Sequence, residues 1–373
     1  MKKEMVKKVF ACGMSAAMVF AMAACGGSSE TTAAAADTTA AAADTTAAAD
    51  TTAAADTTVA AADTTAAAET GLKDTYKVAV VKQMDHASLD EIADAIVAEL
   101  DKLAEENGIT IDYGQVYSGQ GDQSILMQIG DQAISDGVDA IIPIATLAAQ
   151  VMTSCAEETK TPVVFAAISD PEEADLVGID YVTGTSDALN TDFILDMMLA
   201  QNPDVQKVGL LYSLSEPNST TPIAEAKAYL DAKNIEYVEA TANTNDEVIS
   251  AASVLASEGV DAVFTPTDNI IMAAETTIAQ TFAEAGIPHY TGADSFVRNG
   301  AFTTCGVNYT DLGTKTADLA FEAMTKGMDG MEDFYKMDGG IITVNTETAA
   351  ELKIDYSVFA DMGELVEVTT TED

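Results

Sequence analysis

Gly137-Val138-Asp139-Ala140-Ile141 and Gly259-Val260-Asp261-Ala262-Val263 stand 122 residues apart and read as one pattern. In each, a glycine turn leads into a continuous apolar run, the mark of a strand buried on both faces. The same succession surrounds both copies. Around the first, residues 77–82 form a short β-rich run. Residues 89–105 carry helical spacing at Ile92, Ile96, Leu100 and Leu103 and stop at Gly108. Then come a strand over 109–117, a helix over 124–135, a strand over 138–144, a helix over 147–158 and a strand over 162–168. Around the second copy, residues 193–199 lie in a helix, 207–212 in a strand and 223–232 in a helix. A strand over 235–240, a helix over 248–257, a strand over 260–266, a helix over 270–285 and a strand over 288–291 complete it. Lys77-Val78 matches Lys207-Val208 at a similar offset, 130. Strands alternating with helices imply right-handed βαβ units and parallel sheets. The fold class expected is therefore α/β, with two doubly wound parallel-sheet lobes of one topology joined by a hinge.

The N-terminal stretch sets an expected location. Lys2, Lys3, Lys7 and Lys8 form a positive head, residues 9–22 are almost wholly apolar, and Ala23-Ala24 precede Cys25. Residues 1–25 read as a secretory signal, too short in its apolar part to span a membrane. Small residues before Cys25 suit lipid transfer to its thiol and cleavage in front of it. Met22 replaces the commoner leucine of such sites. Residues 26–74 repeat Thr-Thr-Ala-Ala-Ala-Asp units, beginning at Thr31, Thr38, Thr45, Thr51, Thr57 and Thr64. Val59 and Leu72 are their only larger apolar side chains, so no core can form. The expectation is a disordered tether reaching about 40 Å, which holds the folded part outside the cytoplasm on a lipid anchor.

Charge narrows the partners. The chain carries 61 acidic and 17 basic residues, a formal charge of −44. Arg298 is its only arginine. Nucleic acid binding, which needs clustered Lys and Arg, is excluded. The field also opposes polyanions, whereas a neutral, zwitterionic or cationic small solute is compatible. Beyond Cys12 and Cys25, Cys155 and Cys305 are expected as buried free thiols. No Cys/His spacing suits a metal. No glycine pattern suits a nucleotide cofactor, and no nucleophile–histidine–acid motif suggests an enzyme.

In open parallel sheets, ligands bind beyond the carboxyl ends of the strands, where helix starts expose N–H groups. The loops at those ends are Gln83-Met84-Asp85-His86-Ala87-Ser88, Ala145-Thr146 and Ser169-Asp170-Pro171 in one half. In the other they are Ser213-Leu214-Ser215-Glu216-Pro217-Asn218-Ser219, Thr267-Asp268-Asn269 and Ala293-Asp294-Ser295. Short hydroxyl, amide and carboxylate groups also cap helices, so each loop alone has a structural reading. Together they point to a cleft. Asp85, His86, Ser88, Thr146, Ser169, Asp170, Tyr212, Ser215, Asn218, Thr267, Asp268, Asn269, Asp294 and Ser295 are the candidate ligand-binding residues.

These stretches, with Gly121-Asp122-Gln123-Ser124, Ala166-Ala167-Ile168-Ser169-Asp170-Pro171, Val182-Thr183-Gly184-Thr185-Ser186-Asp187 and Leu211-Tyr212-Ser213, carry a resemblance. From about Tyr76 to Glu367 the chain resembles the ABC transporter substrate-binding family that includes tryptophan- and tyrosine-type binding lipoproteins. Ala87 departs from it, where proline often follows the histidine. The resemblance implies a type I periplasmic-binding fold with a three-stranded hinge, and a permease and ATPase as partners. It implies that 75–187 plus 307–326 form one lobe and 188–306 plus 327–368 the other. It implies capture of a small solute for import, leaning to an aromatic amino acid. With one arginine available, a helix start with hydroxyls is expected to take the carboxylate, through Thr146 and Ser169. Asp268, supported by Asn269, is the expected ammonium partner. Tyr212, Phe165, Phe296 and Tyr309 are candidates for an apolar wall, with core packing the stronger reading for Phe165. His289 reads as structural. A surface sensor, or a purine- or sugar-like solute, stands as the alternative, although the absence of tryptophan speaks against a sugar pocket.

Overall fold

The computed structural model describes residues 71–371. The signal segment, Cys25 and the tether as far as residue 70 lie outside the described residues.

Strand β1 (Thr75–Lys82) buries Val78, Ala79, Val80 and Val81 in succession, as a strand covered on both faces must. Helix α1 (Ala87–Asn107) buries Ile92, Ile96 and Leu100, each worth about 1.5–3 kcal/mol of transfer free energy. It ends at Gly108, whose φ of 64° is the left-handed cap that glycine takes without a Cβ clash. Two short strands follow, β2 (Thr110–Asp112) and β3 (Val116–Ser118). A single strand was expected there. The chain turns at Gly114 (φ 58°), so β2 pairs with the start of β1 and β3 with its end. The half continues through α2 (Gln123–Ser135), β4 (Ala140–Ile144), α3 (Thr146–Cys155), β5 (Val163–Phe165) and β6 (Val182–Ser186).

The second half contains α4 (Thr191–Gln201), β7 (Lys207–Tyr212), α5 (Thr220–Lys233), β8 (Glu236–Thr241), α6 (Asn245–Ser257) and β9 (Ala262–Thr265). After β9, the helix expected over 270–285 is two helices, α7 (Asn269–Met272) and α8 (Glu275–Ala285). No glycine or proline marks the break at Ala273 and Ala274. Met272, at the end of the first of the two, both lines the space between the lobes and packs in the same core as Ile278 and Phe282. Then come β10 (His289–Thr291), α9 (Asp294–Arg298), β11 (Thr303–Gly306) and α10 (Tyr309–Lys326). The end of the chain holds β12 (Tyr335–Lys336), β13 (Ile341–Asn345), α11 (Thr346–Leu352) and β14 (Glu364–Val368).

The first sheet runs β12-β6-β5-β4-β1-β2, with β3 also on β1, and all its pairs are parallel. The second runs β14-β13-β11-β10-β9-β7-β8 and is parallel except where β13 meets β11. The chain passes between lobes at 187–190, at 307–308 and at 337–340. Helix α10 returns to the first lobe and lies against α1. Gly313 makes the approach close, since a Cβ there would lie 2.7 Å from both Ala95 Cβ and Ile92 O. The expected assignment of everything after 326 to the second lobe needs correction. β12 pairs with β6, so the first lobe extends through Lys336. A two-residue strand that completes a sheet edge has too few residues for any periodicity to announce it.

Candidate functional site

The carboxyl ends of β1, β4 and β5 meet those of β7, β9 and β10 loop to loop. Gln83 Nε2 donates to Glu216 Oε1 at 2.7 Å. His86 Nε2 lies 3.0 Å from Asn269 Oδ1. Ser88 and Ser295 share a hydroxyl–hydroxyl hydrogen bond. Ser169 Oγ lies 2.9 Å from Thr267 Oγ1, and Thr221 Oγ1 donates to Asp170 Oδ2 at 2.8 Å. Arg298 pairs with Glu91 across the same divide. Between these contacts remains a cavity of about 20 Å³. That holds a water molecule and falls far short of the roughly 300–1,000 Å³ of a solute pocket. The lobes are shut, and a solute needs them to part.

The cavity wall combines both lobes. His86, Ser88, Leu89, Ala145 and Ala167 come from the first, and Asn218, Thr267, Asp268, Asn269, Met272 and Phe296 from the second. Asp187 and Tyr309, beside two of the crossings, complete it. Two wall residues sit in backbone regions that L-residues avoid. Ala145 has φ 77° and ψ 161°, and Ala167 has φ 58°. Such conformations cost about 1–3 kcal/mol and cluster at functional sites. At Ala145 the turn opens the start of α3 toward the cleft with no side-chain cap. Gln83 Oε1 accepts from Leu147 N at 3.1 Å, and the buried Thr146 hydroxyl has no partner.

Thr146 does not itself line the cavity, but two buried polar atoms of wall residues also lack partners, His86 Nδ1 and Asn218 Oδ1. Asn218 Nδ2 donates to Thr267 O, which leaves its Oδ1 as a bare acceptor. Burial pulls the His86 pKa down to about 4, so the ring is neutral. Three acids concentrate here. Asp187 accepts from Ser169 Oγ at 3.0 Å and from Tyr309 Oη at 3.1 Å, and burial raises its pKa. Asp268 caps α7, accepting from Ile270 N and Ile271 N on one oxygen and from Ser213 N and Ser219 Oγ on the other. Burial raises its pKa too. Glu216, beside it, is raised by burial and by the charge of Asp268.

Several candidates stand away from the cavity. Tyr212 donates to Glu239 at 2.6 Å and packs in the core of the second lobe. Phe165 fills the first-lobe core. Of the four expected wall aromatics, Phe296 and Tyr309 line the cavity. Asp85 is half exposed, held by Lys82 at 2.7 Å and Ser118 at 2.9 Å. Ser215 is exposed on its loop beside Ser213. Asp294 lies against Arg298 at 3.1 Å, with burial pushing its pKa to about 6. His289 is buried between Glu275 and Thr265. Cys155 and Cys305 are free, one in each lobe. Gln83, Asp187 and Glu216 were missed as site residues. With 61 acids in the chain, only the place of Asp187, closing a strand whose five residues are all buried, set it apart. Among the described residues no group of His, Cys, Asp and Glu could hold a metal, and no helix is long and apolar enough to cross a membrane.

Two α/β lobes shut on a buried polar cavity define a solute-binding protein of the type I periplasmic-binding class. Residues 77–359 match the family model of the ABC transporter substrate binding protein, and the chain belongs to that family. It is 29% identical over 290 residues to the tyrosine-binding protein of Clostridioides difficile strain R20291, covering 76% of this chain and 82% of that one. A Streptococcus pneumonia ABC domain solved in complex with L-Trp has a TM-score of 0.70 at 29% identity, over 78% of this chain and all of that one. A ligand-free, open substrate binding protein with adhesive properties from Clostridium difficile has a TM-score of 0.59 at 26% identity, over 79% of this chain and all of that one.

Proposed function

We propose that the protein captures an amino acid of the aromatic class between its lobes, outside the cytoplasm, and delivers it to an ABC permease and its ATPase. The observation that carries this reading is the convergence of two unpartnered polar atoms, His86 Nδ1 and Asn218 Oδ1, on one small cavity beside the start of α3. The start of α3 with Thr146 Oγ1 offers partial positive charge and a hydroxyl for a carboxylate. Ser169 is engaged with Asp187 and Thr267, and orients rather than binds. The Asn218 carbonyl and the Asp187 carboxylate suit an ammonium. Asp268 was the expected partner, but each of its oxygens already accepts two hydrogen bonds. In this reading it holds the loop and adds negative potential. Phe296, Tyr309, Leu89 and Met272 form the apolar side. A relative named for tyrosine and a structure solved with tryptophan support the class. The fold similarity is higher to the tryptophan complex than to the open protein, in keeping with closure around a solute as a population shift. The Cys25 anchor and the tether belong to the same proposal.

Thermal-shift and calorimetric titration with amino acids, sugars and nucleosides tests it. Tyrosine or tryptophan at a hundredfold excess over Kd should stabilise by about 2.7 kcal/mol. Stabilisation by a sugar or nucleoside, with none by any amino acid, would overturn it.

A further inference from the structure

A continuous chain of side chains runs from the start of α3 to the cavity, by way of Gln83, Glu216, Asn269 and His86. Its first link has a fixed direction. Leu147 N–H can only donate, so Gln83 Oε1 accepts and Gln83 Nε2 donates to Glu216 Oε1. Beyond Glu216 nothing fixes the direction. Asn269 places one end of its amide 2.6 Å from Glu216 Oε2 and the other 3.0 Å from His86 Nε2. An amide can turn over, and a neutral imidazole carries its proton on either nitrogen.

Two arrangements satisfy every link. With Glu216 ionised, Asn269 Nδ2 donates to it, Asn269 Oδ1 accepts from His86 Nε2–H, and His86 Nδ1 is left as a bare acceptor. With Glu216 protonated on Oε2, that hydroxyl donates to Asn269 Oδ1 and Asn269 Nδ2 donates to His86 Nε2. The ring proton then sits on Nδ1. The second arrangement holds one more proton than the first, carried by Glu216. His86 Nδ1 is buried and without a partner in a residue that lines the cavity.

We infer that Glu216 is a positioning residue: acting through Asn269, it decides whether His86 offers the solute a donor or an acceptor. The consequence for recognition rests on the cleft being the solute site proposed above. Both arrangements are accessible because Glu216 is buried beside the Asp268 carboxylate and is held toward its neutral form. The charged groups around the relay are few. Asp268 faces Glu216, while the opposite lobe presents only Gln83 to it. Asp85, Asp90 and Lys82 surround His86 on its own lobe, and burial outweighs them.

The test reads the ring directly. The chain has only two histidines, so ¹⁵N-histidine spectra of the whole protein resolve both, and His86→Gln assigns them. In the protein without solute, His86 should carry its proton on Nδ1 at about pH 5.5 and on Nε2 at about pH 9. Glu216→Gln presents an amide N–H to Asn269 at every pH and should hold the proton on Nδ1 throughout. Asn269→Ala severs the relay and should abolish the pH-linked change. One tautomer at both ends of the range in the parent protein, or an Nε2 proton in Glu216→Gln, would overturn the inference. These spectra need no solute, so a failure to bind any amino acid would refute the proposed function and leave this result standing.

Discussion

Glu91 on α1 and Arg298 at the end of α9 form an ion pair between the two lobes. The pair uses the chain's only arginine, so no guanidinium is left to clamp a solute carboxylate. Both side chains are about a quarter to a third exposed, and such pairs are worth at most about 1 kcal/mol. Arg298→Ala should weaken solute affinity by no more than about fivefold. The salt dependence of Kd should shrink with it, as calorimetry at two ionic strengths will show.

Removing the Asp187 charge should cost much more. A charge-assisted hydrogen bond to an ammonium contributes about 1.5–3 kcal/mol. Asp187→Asn should therefore raise the Kd for tyrosine about tenfold or more while leaving the Tm nearly unchanged. Asp268→Ala should behave differently. It orphans Ser213 N, Ser219 Oγ and two amides of α7, at about 1–3 kcal/mol for each buried group. Its main effect should be a lower midpoint in urea unfolding.

The pH dependence of stability should divide into opposing parts. His86 has a depressed pKa of about 4 against an ordinary 6.5. The unfolded chain thus binds the extra proton between those values, and stability is lost as pH falls through them, by up to about 3 kcal/mol. Glu216 is raised, so its part is lost as pH increases beyond the ordinary carboxylate range. His86→Gln should flatten the acid limb of a stability–pH curve and Glu216→Gln the alkaline limb. Urea titrations at several pH values measure both. Unchanged limbs in the variants would contradict the assignment.

The strain at Ala145 should be recoverable. Glycine accepts φ 77°, ψ 161° freely but adds entropy to the unfolded chain, about 0.5–1 kcal/mol. Ala145→Gly should be stabilising by about 1 kcal/mol, raising Tm by roughly 2 °C, with weaker solute binding as the α3 start loses its fixed orientation. A lower Tm would show that the backbone there is not strained.

Ser88 and Ser295 touch across the lobes, which offers a clamp. Cysteines at 88 and 295 should bridge on oxidation. Protein oxidised before exposure to tyrosine should bind none, and tyrosine added before the oxidant should slow the bridging, because the cavity left when positions 88 and 295 touch is too small to hold it. Binding by the pre-clamped form would show that the solute enters without lobe opening.

The alternation of strands and helices was legible because buried parallel strands such as Val78–Val81 form apolar runs that no helix surface tolerates. The cleft loops were legible as a group, since a strand end followed by a helix start repeats with Ser, Thr, Asp and Asn. Individual roles were not. Asp268 carries the residue type expected of an ammonium partner, yet a cap for the short α7 uses it fully. Tyr212 and Phe165 differ from Phe296 and Tyr309 only in the direction the strand end or helix gives them, and that is a tertiary fact. Gln83 joined the site because Leu147 N lacked any other acceptor, a need invisible until α3 was placed.

Asp187 opens one passage between the lobes, and Tyr309, bonded to it, follows directly on another. A solute resting on this pair sits beside the axle of the molecule, where swinging the halves moves atoms least. Unlatching should then proceed from the periphery inward. Arg298 and Glu91 should let go early and the grip at the pivot should be the last to loosen, so departure of the cargo should be governed by the outer contacts.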